Sequence, residues 1–131
     1  MPTRILISDE VIPGAPSDPR PITVPQAATT ARELIRCRIE QEVERHNGSP
    51  AEVFHGLVQP EESERILNGF RMHAPRLLDG QAQFERACAS FLRNGFLLIV
   101  DGRQVLELDD PLELQAESQV QFVKLVPLIG G

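Results

Sequence analysis

Lysine is nearly absent from this sequence: of its thirteen basic residues, twelve are arginines and one is Lys124. Composition follows genome-wide preferences as readily as selection, so this shortage does not by itself indicate a function. It does have a chemical consequence, because a protein with one lysine offers very few side-chain amines. Such a chain is a poor acceptor for amide-forming attachment.

Cysteine and histidine are also scarce, and neither forms a recognisable site. Cys37 and Cys88 are fifty-one residues apart, a spacing that fits neither a disulfide framework nor a metal site. We expect both to be small core residues. His46, His55 and His73 form no i, i+4 pair, and none lies in a nucleophile motif. The sequence therefore predicts no catalytic centre, no metal site and no enzymatic activity.

Long apolar runs and an excess of positive charge are missing as well. Apolar residues make up 41% of the 131-residue chain, yet no run approaches the roughly twenty residues of a membrane span, and no signal-peptide stretch is present. The net charge of −6 argues against nucleic acid, whose binding depends on Lys and Arg neutralising phosphates. We therefore expect a cytoplasmic protein without membrane or nucleic-acid partners, forming one domain over residues 1–131.

Strand and helix signals follow one another along the chain. Residues 4–8 and 20–24 predict an N-terminal hairpin joined by a loop rich in proline. Apolar residues at helical spacing predict a first helix over residues 31–46 and a second over residues 81–93. Between them, prolines interrupt residues 49–79, and Pro-Glu-Glu at its middle is suited to starting a short helix. We interpret this segment as a helical insertion between the first helix and the third strand.

Three strand signals close the sequence. The apolar run FLLIV at residues 96–100 is followed by an Asp-Gly turn at 101–102, and residues 103–108 should pair back. Residues 119–126 have the β-branched, apolar content of a buried strand, and Pro127 lacks the N–H that would continue the ladder. The order predicts an α+β fold, a mixed sheet with helices over one face, in which the last strand lies between the first and third.

The last strand has apolar side chains on both faces. Because side chains alternate between the two faces of a strand, Val123 and Leu125 lie on the face opposite to that of Val120 and Phe122. Either the predicted insertion or a docking partner protein would cover the second face. The same alternation puts Lys124 on the face of Phe122. A charged residue there requires either a bulge or a side-chain stem long enough to reach water.

The sequence ends in a short apolar arm and two glycines. Residues 128–131 reach at most roughly 13 Å, at about 3.3 Å per residue, which is enough to enter another protein. Glycines also occur at frayed chain ends, but disordered tails are usually polar and this one follows the strand without a polar linker. Gly131 has no Cβ beside its carboxylate, so it can thread a narrow channel towards a nucleotide phosphate or a cysteine. That property suits acyl adenylation.

With this element order and ending, the chain resembles the β-grasp ubiquitin-like superfamily, which includes ubiquitin-like modifiers and the sulfur carriers of molybdopterin and thiamine synthesis. The resemblance is strongest over residues 96–131. There, FLLIVDGRQV is similar to the strand, turn and strand before the family's last loop, and QVQFVKLVPLIGG is similar to its last strand and Gly-Gly end. The resemblance implies a β-grasp sheet packed on a helix, with a flexible tail at residues 128–131.

The resemblance also implies a role for the tail. Gly131 would be adenylated by a ubiquitin-activating-type enzyme, with Gly130 allowing the tail to thread. ATP and magnesium would belong to that enzyme, and the chain itself would bind no cofactor. The expected function is a protein modifier transferred through a thioester to a target, with a conjugating enzyme and a deconjugating peptidase as further partners. The docking surface would consist of two tail and two sheet residues, Leu128, Ile129, Val123 and Leu125.

Two alternatives stay open. The VPLIGG ending is similar to that of the sulfur carriers, which often have a proline shortly before the glycines. In that case the same adenylate would be converted to a thiocarboxylate that donates sulfur to cofactor synthesis. The chain could also be a non-conjugated β-grasp binding module that uses its apolar second sheet face.

Overall fold

A computed structural model describes residues 2–12, 14, 16–67 and 69–125 of the chain. Within these residues the protein forms two helices and ten strands, an α+β structure. The helices are α1 (Ala31–Gly48) and α2 (Gly80–Leu92). The strands are β1 (Thr3–Ile12), β2 (Arg20–Val24), β3 (Ala28–Thr30), β4 (Val53–Phe54), β5 (Ser63–Ile66), β6 (Gly69–Met72), β7 (Phe96–Val100), β8 (Arg103–Val105), β9 (Pro111–Glu113) and β10 (Gln119–Leu125).

Five of these strands form a mixed sheet in the order β2-β1-β10-β7-β8. β1 and β2 are antiparallel, which confirms the predicted N-terminal hairpin. β10 runs parallel to β1 and antiparallel to β7. The predicted place of the last strand is confirmed, because β10 lies between β1 and β7, the first and third strands of the prediction.

One face of this sheet carries its apolar core. Ile7 lies opposite Val120, and Phe122 lies opposite Leu98, so these side chains share a face. The apolar core residues of this face are each at most 7% exposed: Ile5, Ile7, Ile22, Val24, Phe96, Leu98, Val105, Val120 and Phe122. Removing apolar surface from water is worth about 25 cal/mol per Å², so this face is a main source of the sheet's stability.

The hairpin of β7 and β8 has the predicted two-residue turn. Asp101 has a φ of 47° and Gly102 a φ of 83°, the two positive values of a type I′ turn. β8 is shorter than predicted because a second turn follows it. In that turn the Asp110 N–H donates to the Glu107 carbonyl over 3.2 Å, and the Glu107 N–H donates to Asp110 Oδ2 over 3.1 Å.

Both predicted helices are confirmed to within two residues at each end. α2 begins with Asp79 as its cap, since Asp79 Oδ1 accepts the Gln81 N–H over 3.0 Å. Near the start of α1, the Arg32 guanidinium donates to both carboxylate oxygens of Asp109, over 2.9 and 3.1 Å. This hydrogen-bonded pair lowers the pKa of the Asp109 carboxyl below its usual range.

The helical insertion predicted for residues 49–79 is wrong. These residues contain β4, β5 and β6, which form an antiparallel sheet in the order β4-β6-β5. β6 shows the alternation of a strand, with Phe70 and Met72 buried and Arg71 exposed. The sequence of β6, Gly-Phe-Arg-Met, shows the same alternation, with an apolar side chain at every second position.

The helix start predicted at Pro60-Glu61-Glu62 also fails, for a local reason. Glu62 has a φ of 53°, in the left-handed region, which a right-handed helix does not contain. The Ser63 hydroxyl donates to the Pro60 carbonyl over 2.7 Å. The three residues therefore form a turn, and β5 starts directly after it.

The described chain divides into two compact units, Met1–Arg32 with Phe91–Gly131, and Glu33–Ser90. The first unit contains the five-stranded sheet and a small sheet of β3 and β9 that was not predicted. The second contains most of α1 and α2 and the three-stranded sheet. The single domain predicted over residues 1–131 is not tested by this division and stays a prediction.

Candidate functional site

The tail that is predicted to carry the chemistry follows β10. The strand ends at Leu125, which pairs with Ile12 at the end of β1. Of Leu125, only the backbone position is described. The four tail residues of the prediction lie outside the described residues: Leu128, Ile129, Gly130 and Gly131. Their roles stay predictions.

Lys124 lies one residue before the end of β10, on the core side of the sheet. It pairs with Val11 of β1 and with Phe96 of β7, and the register is continuous through it on both sides. The bulge that the sequence allowed is therefore absent at Lys124. The side chain is half-buried, as expected for an aliphatic stem that lies along apolar surface.

The second face of the sheet, opposite the core, has an apolar centre. Val123 lies between Glu10 and Leu97 in register and is 4% exposed. Apolar neighbours on the same face are more exposed than Val123: Leu6, Leu97, Ile99 and Ile12. A partner docking here would therefore contact mainly these flanking side chains rather than Val123. The predicted docking role of Val123 and Leu125 stays a prediction.

Asp101 lies at the end of the sheet where β10 starts, and it forms hydrogen bonds there that the sequence did not reveal. Its Oδ1 accepts the Gln119 N–H over 2.8 Å, and its Oδ2 accepts the Ser118 hydroxyl over 2.9 Å. Ser118 is 4% exposed, and its oxygen accepts the Gln115 N–H over 2.9 Å. The hairpin turn thus fixes the start of β10. A turn signal alone cannot show bonds to residues so far along the chain.

A groove of about 400 Å³ lies in the first unit between β8 and β9. Its lining includes both strands, the Asp101 turn and Asp110. The sequence did not predict this groove because β9 is only three residues long and pairs with β3, about eighty residues earlier. Asp109-Asp110-Pro111 was recognised only as a break after β8.

In the second unit, a buried ion pair on α1 anchors the loop after β4. Arg38 Nε lies 2.6 Å from Glu42 Oε1, and the two side chains are 3% and 8% exposed. Glu42 Oε2 also accepts the Leu57 N–H over 3.0 Å. Each carboxylate oxygen therefore has a donor, an arrangement that fixes structure.

The last turn of α1 binds the chain that leads into α2. His46 Nε2 lies 2.8 Å from the Arg76 carbonyl oxygen, and the ring meets Phe54 edge-on at 5.4 Å. The Asn47 amide donates to the Leu78 carbonyl over 2.9 Å and accepts the Leu78 N–H over 2.8 Å. His46 is 8% exposed, so its ring serves packing and hydrogen bonding within this unit.

The two cysteines are half-buried rather than buried as predicted. Burial raises the pKa of the Cys37 thiol, and the carboxylates of Glu40 and Glu33 raise it further against the opposing effect of Arg36. A thiol with a raised pKa is mostly protonated at neutral pH and is a weak nucleophile. Cys37 therefore has the properties of a structural residue.

Among the residues that the structure describes, no group of His, Cys, Asp and Glu side chains is arranged to hold a metal ion. No helix in the described part of the chain has the length and apolar content needed to cross a membrane. The cytoplasmic location stays a prediction. No protein-family model, curated protein or solved structure matches this chain.

Proposed function

We propose that this protein is a ubiquitin-like modifier with a β-grasp fold, activated at the carboxylate of Gly131. The observation that carries the proposal is the placement of Gly130-Gly131 in the chain. The pair follows β10 after residues 126–129, and β10 is the middle strand of the five-stranded sheet, parallel to β1. A strand held on both sides is a firm base from which a short tail can be presented.

The tail sequence is suited to entering an enzyme. Residues 126–131 reach at most roughly 20 Å at about 3.3 Å per residue. Pro127 restricts the backbone at the start of this stretch, while the two glycines leave its end free of Cβ atoms. Because the stretch has no charged side chain, the terminal carboxylate is the group that an adenylating enzyme would recognise there.

The chemistry is acyl transfer. A carboxylate oxygen of Gly131 attacks the α-phosphate of ATP, which releases pyrophosphate and leaves an acyl adenylate. A cysteine thiolate of the activating enzyme then displaces AMP and forms a thioester. An amine of the target displaces that thiolate and forms an amide. The chain supplies the carboxylate and its docking surfaces, and the ATP and magnesium sites belong to the activating enzyme.

The test uses the full-length protein, an activating enzyme encoded near its gene, and ATP with magnesium. We expect an enzyme adduct that disappears on treatment with a reducing thiol. A variant lacking Gly130 and Gly131 should form no adduct, while Gly48→Ala, far from the tail in sequence, should react as the parent does. An adduct that survives removal of both glycines would exclude the proposal. Intact mass must first show Gly131 as the last residue of the reacting species.

A sulfur carrier is the second candidate, and the proline in VPLIGG favours it. Sulfide, or another donor at the sulfide level, would then displace AMP from the adenylate and form a thiocarboxylate. Intact mass separates the two functions, because exchange of oxygen for sulfur adds about 16 Da whereas conjugation adds the mass of a target.

A non-conjugated binding module is the third candidate, favoured by the apolar centre of the second face. Ile12 at its edge is 46% exposed, and apolar surface of this kind often marks a contact site. If Gly131→Ala leaves the cellular function intact, this candidate replaces both of the others.

A further inference from the structure

β8 and β9 each have one backbone edge that no described strand occupies. β8 is the last strand of the five-stranded sheet, and β9 pairs with β3 alone. Both strands line the groove of about 400 Å³. Gln104 of β8 and Glu113 of β9 are among its lining residues.

The β8 edge offers the backbone of Gln104. A two-residue turn makes Val100 and Arg103 the hydrogen-bonded pair that closes the hairpin. Hydrogen-bonded and non-bonded pairs alternate along an antiparallel ladder, so the N–H and C=O of Gln104 point away from β7. Among the described residues, neither group has a hydrogen-bond partner.

The β9 edge offers the backbone of Glu113 by the same reasoning. The Leu114 N–H donates to the Ala27 carbonyl over 2.8 Å, which makes these two residues a hydrogen-bonded pair. Glu113, opposite Ala28, is then a non-bonded position, and its N–H and C=O point away from β3. Exposed donors and acceptors of this kind bind an added strand.

The side chains around the groove define what kind of strand would fit. The charged residues of the lining are Asp101, Asp110, Glu113 and Arg103, which together carry a formal charge of −2. Asp101 and Asp110 are engaged with neighbouring donors, whereas exposed Glu113 forms no ion pair with any described residue. A strand carrying positive charge complements this lining.

We propose that the groove binds an extended segment of a partner protein that carries Lys or Arg, added as a strand along β8. The Gln104 backbone bonds the segment, and the Glu113 carboxylate contacts a basic side chain. Backbone pairing requires a polypeptide, and the negative lining disfavours nucleic acid. The chain's own residues 126–131 contain no basic side chain, so they do not match the lining. The proposal does not depend on activation of Gly131.

The test is a titration of the full-length, ¹⁵N-labelled protein with the acetylated, amidated peptide Thr-Lys-Val-Lys-Val-Lys-Thr. We expect the amide signals of Gln104 and Glu113 to shift and hydrogen exchange of the Gln104 N–H to slow. The peptide with Glu at each of the three Lys positions should bind at least about threefold more weakly, since each exposed ion pair contributes a factor of roughly 1.4 to 5. Raising the salt concentration should weaken binding of the Lys peptide.

A pair of variants at one position isolates the backbone bond. Gln104→Pro removes the outward N–H and is compatible with a non-bonded position on an edge strand, so it should abolish binding. Gln104→Ala keeps the N–H and should bind as the parent does.

Glu113→Lys tests the charge, because it reverses an exposed charge without changing the hydrogen bonds of the ladder. It should weaken binding of the Lys peptide by about twofold or more, because an attraction is replaced by a repulsion of similar size.

Four results of the peptide titrations would overturn the proposal. They are equal binding of the Glu peptide, shifts confined to another surface, Gln104→Pro binding as well as Gln104→Ala in a folded protein, and no shift at millimolar peptide. Self-association without peptide that Gln104→Pro abolishes would also overturn it, because the β8 edge would then belong to a second copy of this chain.

Discussion

Single residues of α1 keep charged and amide groups out of water within the second unit. Arg38 and Glu42 are both almost fully buried, and Glu42 also accepts the Leu57 N–H. Such a pair contributes little net stability compared with apolar residues of equal size, but loss of one member leaves an uncompensated buried charge. Its sensitivity to substitution is therefore larger than its contribution to stability.

We expect Glu42→Ala to lower the free energy of unfolding by about 3 to 5 kcal/mol, because the Arg38 charge stays buried and the Leu57 N–H loses its acceptor. Urea denaturation measures this change. Glu40→Ala is the matched control on the same helix. Glu40 is exposed, and its removal should change stability by less than about 0.5 kcal/mol. Equal effects of the two substitutions would show that the Glu42 pair is not buried in solution.

The sequence alone could not show that Glu42 is buried whereas Glu40 is exposed. Arg38 and Glu42 are four residues apart, the spacing of an ordinary surface pair on a helix, and the aligned charges predict a solvated face. Only the tertiary fold buries them. The half-burial of Cys37 likewise depends on how the helix turns within the unit, whereas its acidic neighbours Glu33 and Glu40 follow from their spacing on the same helix.

At the scale of elements, prediction succeeded where the local signal was long or chemically specific. α1 and α2 each show several turns of helical spacing, and the Asp101-Gly102 pair favours one turn type. It failed for residues 49–79, where the strands have two to four residues. Such strands are specified by their neighbours more than by their own sequence.

The loop after β4 gives a test at this scale, because it leaves no room for a side chain at Gly56. An added Cβ would lie 2.2 Å from the Phe54 ring and 2.6 Å from Glu42 Oε2. Both neighbours are held in place, so Gly56→Ala should lower the free energy of unfolding by about 1 to 3 kcal/mol.

Gly48→Ala is the matched substitution at the end of α1. Apart from the backbone of its own helix and its chain neighbours, no atom lies within 4 Å of the added Cβ there, and alanine favours helix over glycine by at most roughly 0.5 to 1 kcal/mol. Thermal denaturation should therefore show opposite signs for the two changes. If both substitutions stabilise the protein, the loop at Gly56 is open in solution.

At the scale of the whole molecule, the sheet order was predictable from one strand. β10 has apolar side chains on both of its faces, a pattern that favours a central position in a sheet. It lies between β1 and β7. The pairing of β3 with β9 was not predictable, because three-residue strands about eighty residues apart carry no detectable pattern. The groove beside β9 was missed for the same reason, while the candidate tail was recognised because its signal is a contiguous sequence.

The scarcity of lysine has a consequence for the proposed modifier. A tag builds chains on itself only where an amine of one copy meets the activated carboxyl of another. Here the candidates are Lys124 and the amino terminus. Lys124 is half-buried and paired on both sides within β10, seven residues before Gly131. Sheet pairing, and any enzyme that holds the tail, restrict approach to its amine.

We therefore expect single attachment, or chains built through the amino terminus or hydroxyl groups, and few amide-linked chains through lysine. The measurement is tryptic mass spectrometry of conjugates formed with excess activating enzyme. Cleavage after Lys124 of the donor copy would leave a Leu-Val-Pro-Leu-Ile-Gly-Gly remnant on the acceptor. Lys124→Arg keeps the charge and removes the amine, and it should leave the pattern of conjugates unchanged. Blocking the amino terminus should remove high-mass species if they are built by that route, whereas abundant remnant on Lys124 would refute the prediction.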